Sequence, residues 1–87
     1  MEKTKPVDAV NELTLVLMYL NRFHDDGRKS LTNAERAWKG YDFAALDALD
    51  ELDYIRQGSH GSKSVVLTQS GLSFAKALLE KYQIEES

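Results

Sequence analysis

The 87 residues, 43% of them hydrophobic and 29% charged, carry a formal net charge of −3 and no cysteine. That composition describes an ordinary globular domain and excludes disulfides, thiolate metal sites and a cysteine nucleophile. A chain of this length buries only about 60 to 65% of the surface it exposes when unfolded, so it has room for one small core.

One domain is expected over residues 1–87, with short mobile termini at about 1–5 and 84–87. The longest apolar run, Leu15 to Leu20, is six residues, against the roughly 20 needed to span a bilayer. The N-terminal MEKTKP has no signal-type apolar stretch close behind it. A cytoplasmic protein without a membrane partner is the expectation.

Pro6 suits a first helical turn and Asp8 complements the helix dipole, so a first helix is predicted from about residue 6 to His24. Val10, Leu13, Leu17 and Leu20 follow spacings of three and four and share one face. Leu15, Val16, Met18 and Tyr19 fill the remaining directions, so the helix is apolar all round. Either it runs through the centre of the fold or one side meets another subunit. Leu15, Met18 and Tyr19 are the candidate dimer face, and a homodimer is the expected assembly.

Asp25, Asp26, Gly27 and Arg28 read as a polar turn. Thr32 and Glu35 have capping-box spacing and predict a short second helix, closed by Gly40 with Arg36 and Lys39 at its basic end. Asp42 is the predicted N-cap of a third helix from Phe43 to about Tyr54. Its inner stripe is Ala45, Leu46, Leu49 and Leu52, with Asp47, Asp50 and Glu51 opposite. Ile55 to Gln57 and Ser64 to Leu67 read as two strands around the GSHGS tip. Thr68 then caps a last helix whose Leu72, Ala75, Leu78, Leu79 and Tyr82 fall on one side.

The predicted fold is mostly α with a small β-hairpin, in the order helix-helix-helix-strand-strand-helix. With "DELDYI" and "SVVLTQSGLSFAKALL" placed as above, that order resembles bacterial winged helix-turn-helix domains. The resemblance implies a fold and no ligand. In it, Leu67 ends a core strand, Thr68 caps the last helix and Gly71 allows close backbone packing. "RAWKGYDF", "LDALDELDYI" and "KSVVLTQSG" together resemble a family of small bacterial proteins known only as a domain of unknown function. That likeness runs from the first helix to the last and maps the family's Arg-Ala-Trp-Lys-Gly segment onto Arg36 to Gly40. Here a longer polar insert, Arg28 to Asn33, precedes the motif.

A recognition helix in a DNA groove needs donors for bases and phosphates. Residues 41 to 55 carry Asp42, Asp47, Asp50, Glu51 and Asp53 without a single Lys or Arg, and neutralising phosphates supplies most non-specific affinity. Protein interaction through Trp38, Lys39, Tyr41, Asp47, Asp50, Glu51 and Tyr54 therefore fits the charges better. Trp38 has a second reading, as a core residue packing the second helix onto the third. A non-catalytic interaction or regulatory module is the expected role; the alternative is a DNA-binding transcriptional regulator that contacts DNA through the second helix and the wing, by Arg36, Lys39, Arg56, His60 and Lys63.

An enzyme is not expected. His24, Asp25 and Asp26 are adjacent loop residues that cannot all face one ion. No phosphate loop follows Gly58 and Gly61, and no serine has an evident base and acid partner. Neither cofactor nor metal is expected.

Overall fold

A computed structural model of the chain describes residues 3–24, 35–58 and 63–85. Its elements in order are α1 (Pro6–Leu20), β1 (Phe23–His24), β2 (Glu35–Trp38), α2 (Phe43–Glu51), β3 (Ile55–Arg56), β4 (Ser64–Leu67) and α3 (Gln69–Lys81). The strands form one antiparallel sheet in the order β1-β2-β4-β3. Three helices and this small sheet make a winged-helix-like fold in which β3 and β4 are the wing.

The segment expected to form the second helix is extended instead. Glu35 to Trp38 is a strand, paired on one side with β1 (Phe23 opposite Arg36) and on the other with β4 (Ala37 opposite Val65). Glu35 therefore caps no helix; its predicted partner Thr32 lies outside the described residues. Four residues give helical and alternating patterns equal support, and cross-strand partners decide between them. Alternation then puts Ala37 in the core and Trp38 outside. Gly40, at φ +145°, turns the chain from β2 toward α2 instead of ending a helix.

α1 stops at Leu20, short of the expected His24. Asn21 caps it through its backbone N–H, which donates to the Leu17 carbonyl. Arg22 folds back, donating to the Tyr19 carbonyl at 2.7 Å with its guanidinium 4.0 Å above the Tyr19 ring, and pairs with Glu35 at 3.2 Å. α2 is capped as expected by Asp42, which accepts from the Ala45 N–H. It ends at Glu51 because Asp53 takes φ 65°, a left-handed conformation that no helix continues through. Leu52, expected on its inner stripe, is exposed at that end.

The core lies between the helices and the inner sheet face, where Ala37, Val65, Leu67 and Ile55 meet Leu46, Leu49, Ala75, Leu78 and Leu79. α1 packs on α2, α3 and β2. Leu15, Met18 and Tyr19, the expected dimer face, are among the most deeply buried side chains of the molecule. Burying each stabilises the fold by about 1.5 to 3 kcal/mol, which makes them the monomer's own core and removes them from any interface. The side of α1 left outside is the stripe of Val7, Val10, Leu13, Leu17 and Leu20.

Thr68 caps α3 by accepting from the Gly71 N–H at 2.9 Å and donates its hydroxyl proton to the Asp53 carbonyl at 2.6 Å. α1 and α3 are joined by Glu12, whose carboxylate accepts from Lys81 Nζ and from the Tyr82 hydroxyl, each at 2.7 Å. Partial burial raises the Glu12 pKa, but the Lys81 and Tyr82 hydrogen bonds and the lysine's charge together leave it below its ordinary value of 4.5. The hydrogen bond to Glu12 raises both Lys81 and Tyr82 above theirs. Ile84, placed by sequence in a mobile tail, instead packs against the core and donates its N–H to the Leu79 carbonyl.

Candidate interaction surface

β2 delivers Trp38 to the surface at one end of the sheet. The Lys39 N–H donates to the Lys63 carbonyl at 2.8 Å, extending the β2–β4 ladder and bringing two lysines side by side. The turn at Gly40 then sets Tyr41 and the first residue of α2, Phe43, across from the indole. Together Trp38, Tyr41, Phe43 and Leu46 line an open, mainly apolar cleft of about 580 Å³ with Lys39 and Lys63 at its rim. Trp38 is 60% exposed and Phe43 79%. Phe23 stacks on Trp38 with ring centroids 4.6 Å apart, so the indole is supported from one side and open on the other. The reading of Trp38 as a core residue is overturned by that exposure.

The structure divides the seven residues first grouped as an interaction surface. Trp38, Lys39 and Tyr41 meet at the cleft. Asp47 accepts from the Gln57 side-chain amide at 3.1 Å and Asp50 from the Gln57 N–H at 3.3 Å, so these two carboxylates fasten the end of β3 to α2. Glu51 is exposed at the end of α2. Tyr54 faces the other way: its ring stacks on Phe74 at 4.7 Å against the core, and its backbone carbonyl accepts from Thr68. It supports the fold and stands apart from the cleft.

Of the residues considered for nucleic acid, Lys39 and Lys63 share the cleft rim. Arg36 and Arg56 both lie opposite Val66 in neighbouring strands, hence on the same outward face of the sheet. Arg36 donates to Ser64 Oγ at 3.1 Å, while Arg56 pairs at 3.3 Å with Asp53, both side chains of that pair well exposed. His60 lies outside the described residues.

Phe43, Leu46 and Phe23 were missed. Phe43 had a signal: it falls outside the Ala45, Leu46 and Leu49 arc and stands four residues before Asp47 and seven before Asp50, so an aromatic heads the polar stripe. Phe23 had none, because its place beside Trp38 depends on pairing between β1 and β2.

Among the described residues, no group of His, Cys, Asp and Glu side chains is arranged to hold a metal ion, and no helix is long and apolar enough to cross a membrane. The model of the family described as "Domain of unknown function (DUF6429)" matches residues 6–85. The chain is similar to "Uncharacterized protein y4hR" of Sinorhizobium fredii (strain NBRC 101917 / NGR234), with 34% identity over 74 residues, spanning 85% of this chain and 88% of that protein. No solved structure matches the chain.

Proposed function

Because the chain belongs to the DUF6429 family, whose description assigns no activity, we propose its function from its surface: a non-catalytic module that docks an acidic protein segment carrying an apolar anchor. The observation that carries this reading is the pair Trp38 and Phe43, held largely in solvent at the mouth of an apolar cleft. Aromatic side chains in such positions supply much of the energy of protein interfaces. The rim decides the partner's charge. Lys39 and Lys63 flank the cleft and, among the described residues, no carboxylate lines it, so carboxylates beside the anchor meet complementary charge while a basic segment is repelled.

The test is fluorescence anisotropy with labelled peptides that place one Phe or Leu among Asp and Glu residues, against basic peptides with the same anchor. Binding of the acidic set, weakened at least about tenfold by Trp38→Ala and by Lys39→Glu with Lys63→Glu, supports the reading; tenfold is about 1.4 kcal/mol. Equal affinity for both sets, or indifference to Trp38→Ala, sinks it.

A second reading rests on a separate observation. The outward sheet face aligns Phe23, Arg36 and Arg56 around Val66, with Trp38 two residues along β2. Stacked aromatics beside guanidinium groups suit unpaired bases and phosphates. Duplex DNA is disfavoured by Asp47, Asp50 and Glu51 on α2. Salt-dependent binding of a single-stranded oligonucleotide, lost with Arg36→Ala and Arg56→Ala, would put this reading first.

A further inference from the structure

The outer side of α1 has a use that the cleft does not explain. Val7, Val10, Leu13, Leu17 and Leu20 are each between 41% and 64% exposed, and no charged residue interrupts them. A single exposed Leu is ordinary, whereas a continuous apolar stripe along a whole helix marks a contact surface. The same helix already buries Leu15, Val16, Met18 and Tyr19 on its other side. Both of its faces are therefore built as contact faces, and the monomer uses one.

The order of the stripe identifies what fits it. Val7 and Leu20, Val10 and Leu17, and Leu13 and Thr14 are placed symmetrically about the middle of α1. When two copies of such a helix lie antiparallel, each valine of one meets a leucine of the other. The smaller half faces the larger half, so the gap stays even along the contact. Thr14, next to the centre, is already buried within the monomer with its hydroxyl donating to the Val10 carbonyl at 2.6 Å, so it brings no unsatisfied polar group to the axis and Leu13 is the exposed side chain there. The antiparallel arrangement also sets the positive end of each helix dipole beside the negative end of the other.

We propose that this chain pairs with a second copy of itself through the outer stripe of α1, the two helices antiparallel about a twofold axis at Leu13 and Thr14. This is an isologous contact, which closes at two copies and leaves no free stripe. The stripe offers on the order of 400 Å² per protomer, so the pair hides about 800 Å² before flanking residues are counted, below the roughly 1,200 Å² at which stable specific interfaces begin and in the range of weak, transient ones. A contact of that size supports a weak, reversible dimer, with an expected dissociation constant in the high-micromolar range. None of the stripe residues lines the cleft, so the proposal is tested independently of docking there.

The test is sedimentation equilibrium of the full chain from about 1 μM to about 500 μM, a range that brackets a micromolar constant. The wild type should pass from monomer to dimer. Val10→Glu and Leu17→Lys should each be monomeric throughout, with an unchanged helical circular dichroism spectrum because both sites are already exposed. Mixed in equal amounts, the two variants should dimerise again, since the carboxylate introduced into one copy then faces the ammonium introduced into the other. A wild type that stays monomeric at the highest concentration overturns the proposal, as does a dimer that survives both substitutions. A mixture of Val10→Glu with Val10→Lys that dimerises, when the first mixture does not, overturns the antiparallel register. If either variant unfolds, Leu13→Gln replaces it, with the same monomeric outcome expected.

Discussion

Gly71 lies so close to Tyr54 that a Cβ at residue 71 would run into the Tyr54 carbonyl. The start of α3 is thereby pressed onto the turn that leads from α2 into β3. The Tyr54 carbonyl is already committed, accepting from the Thr68 N–H at 3.1 Å, and cannot move aside without breaking the junction. Gly71→Ala should therefore destabilise the domain by about 2 to 3 kcal/mol, as overpacking of a tight contact does. The midpoint of urea unfolding measures it, and an unchanged midpoint would mean that the junction yields freely.

Thr68 stands at the same junction and makes two hydrogen bonds with one hydroxyl. Thr68→Ala should cost about 1 to 2 kcal/mol, mainly from the lost cap, since water can replace the hydroxyl at the exposed Asp53 carbonyl. Thr68→Ser keeps the hydroxyl and should recover most of the loss. If serine performs no better than alanine in the same unfolding experiment, the methyl group and not the cap is what matters.

The link between Glu12 and Lys81 with Tyr82 makes stability depend on pH at both extremes. The Glu12 carboxyl is held below 4.5 in the folded chain, so its contribution is complete above that value and is lost as pH falls through the lowered one. Lys81 and Tyr82 are raised above 10.5 and 10.0. Their contribution is complete below those values and is lost as pH rises through the raised ones. Thermal unfolding should show a plateau between, with Glu12→Gln flattening the acid limb and reducing the alkaline loss. A Glu12→Gln profile parallel to the wild type at all pH values would assign both limbs to other groups.

Trp38 is the only tryptophan in the chain, so intrinsic fluorescence reports on the cleft alone. Its emission should be that of a solvent-exposed indole and readily quenched by acrylamide. Lys39 and Lys63 beside it should draw anions, so the ratio of iodide to caesium quenching should exceed that of N-acetyltryptophanamide at equal ionic strength. A ratio no higher than that of the free compound would place the lysine charges away from the indole.

Local signals carried far along this chain. Ser64 to Leu67 forms the predicted strand, Asp42 and Thr68 cap the predicted helices, and Gly71 makes the close approach expected of it, because each depends on neighbours within a few residues. Glu35 to Trp38 did not announce itself. The same four residues suit a helix turn or a strand, and the decision comes from Phe23 and Val65, which are remote in sequence. The orientation of α1 was hidden for a different reason. Its most regular apolar stripe points outward, while Leu15, Val16, Met18 and Tyr19 face the core, and periodicity cannot rank two apolar faces of one helix. The cleft was half legible: Trp38, Lys39 and Tyr41 are consecutive or nearly so, whereas Lys63 and Phe23 join them only through strand pairing.

Within the described residues, the sheet's two outermost strands, β1 and β3, are each two residues long. An outer strand that short offers an incoming strand almost no ladder to extend, and Arg56 at one of them adds a charge that further discourages it. Among the described residues, the sheet edges thus do little to favour growth by strand addition, the open-ended route to fibres. Association through side chains on defined faces is favoured instead.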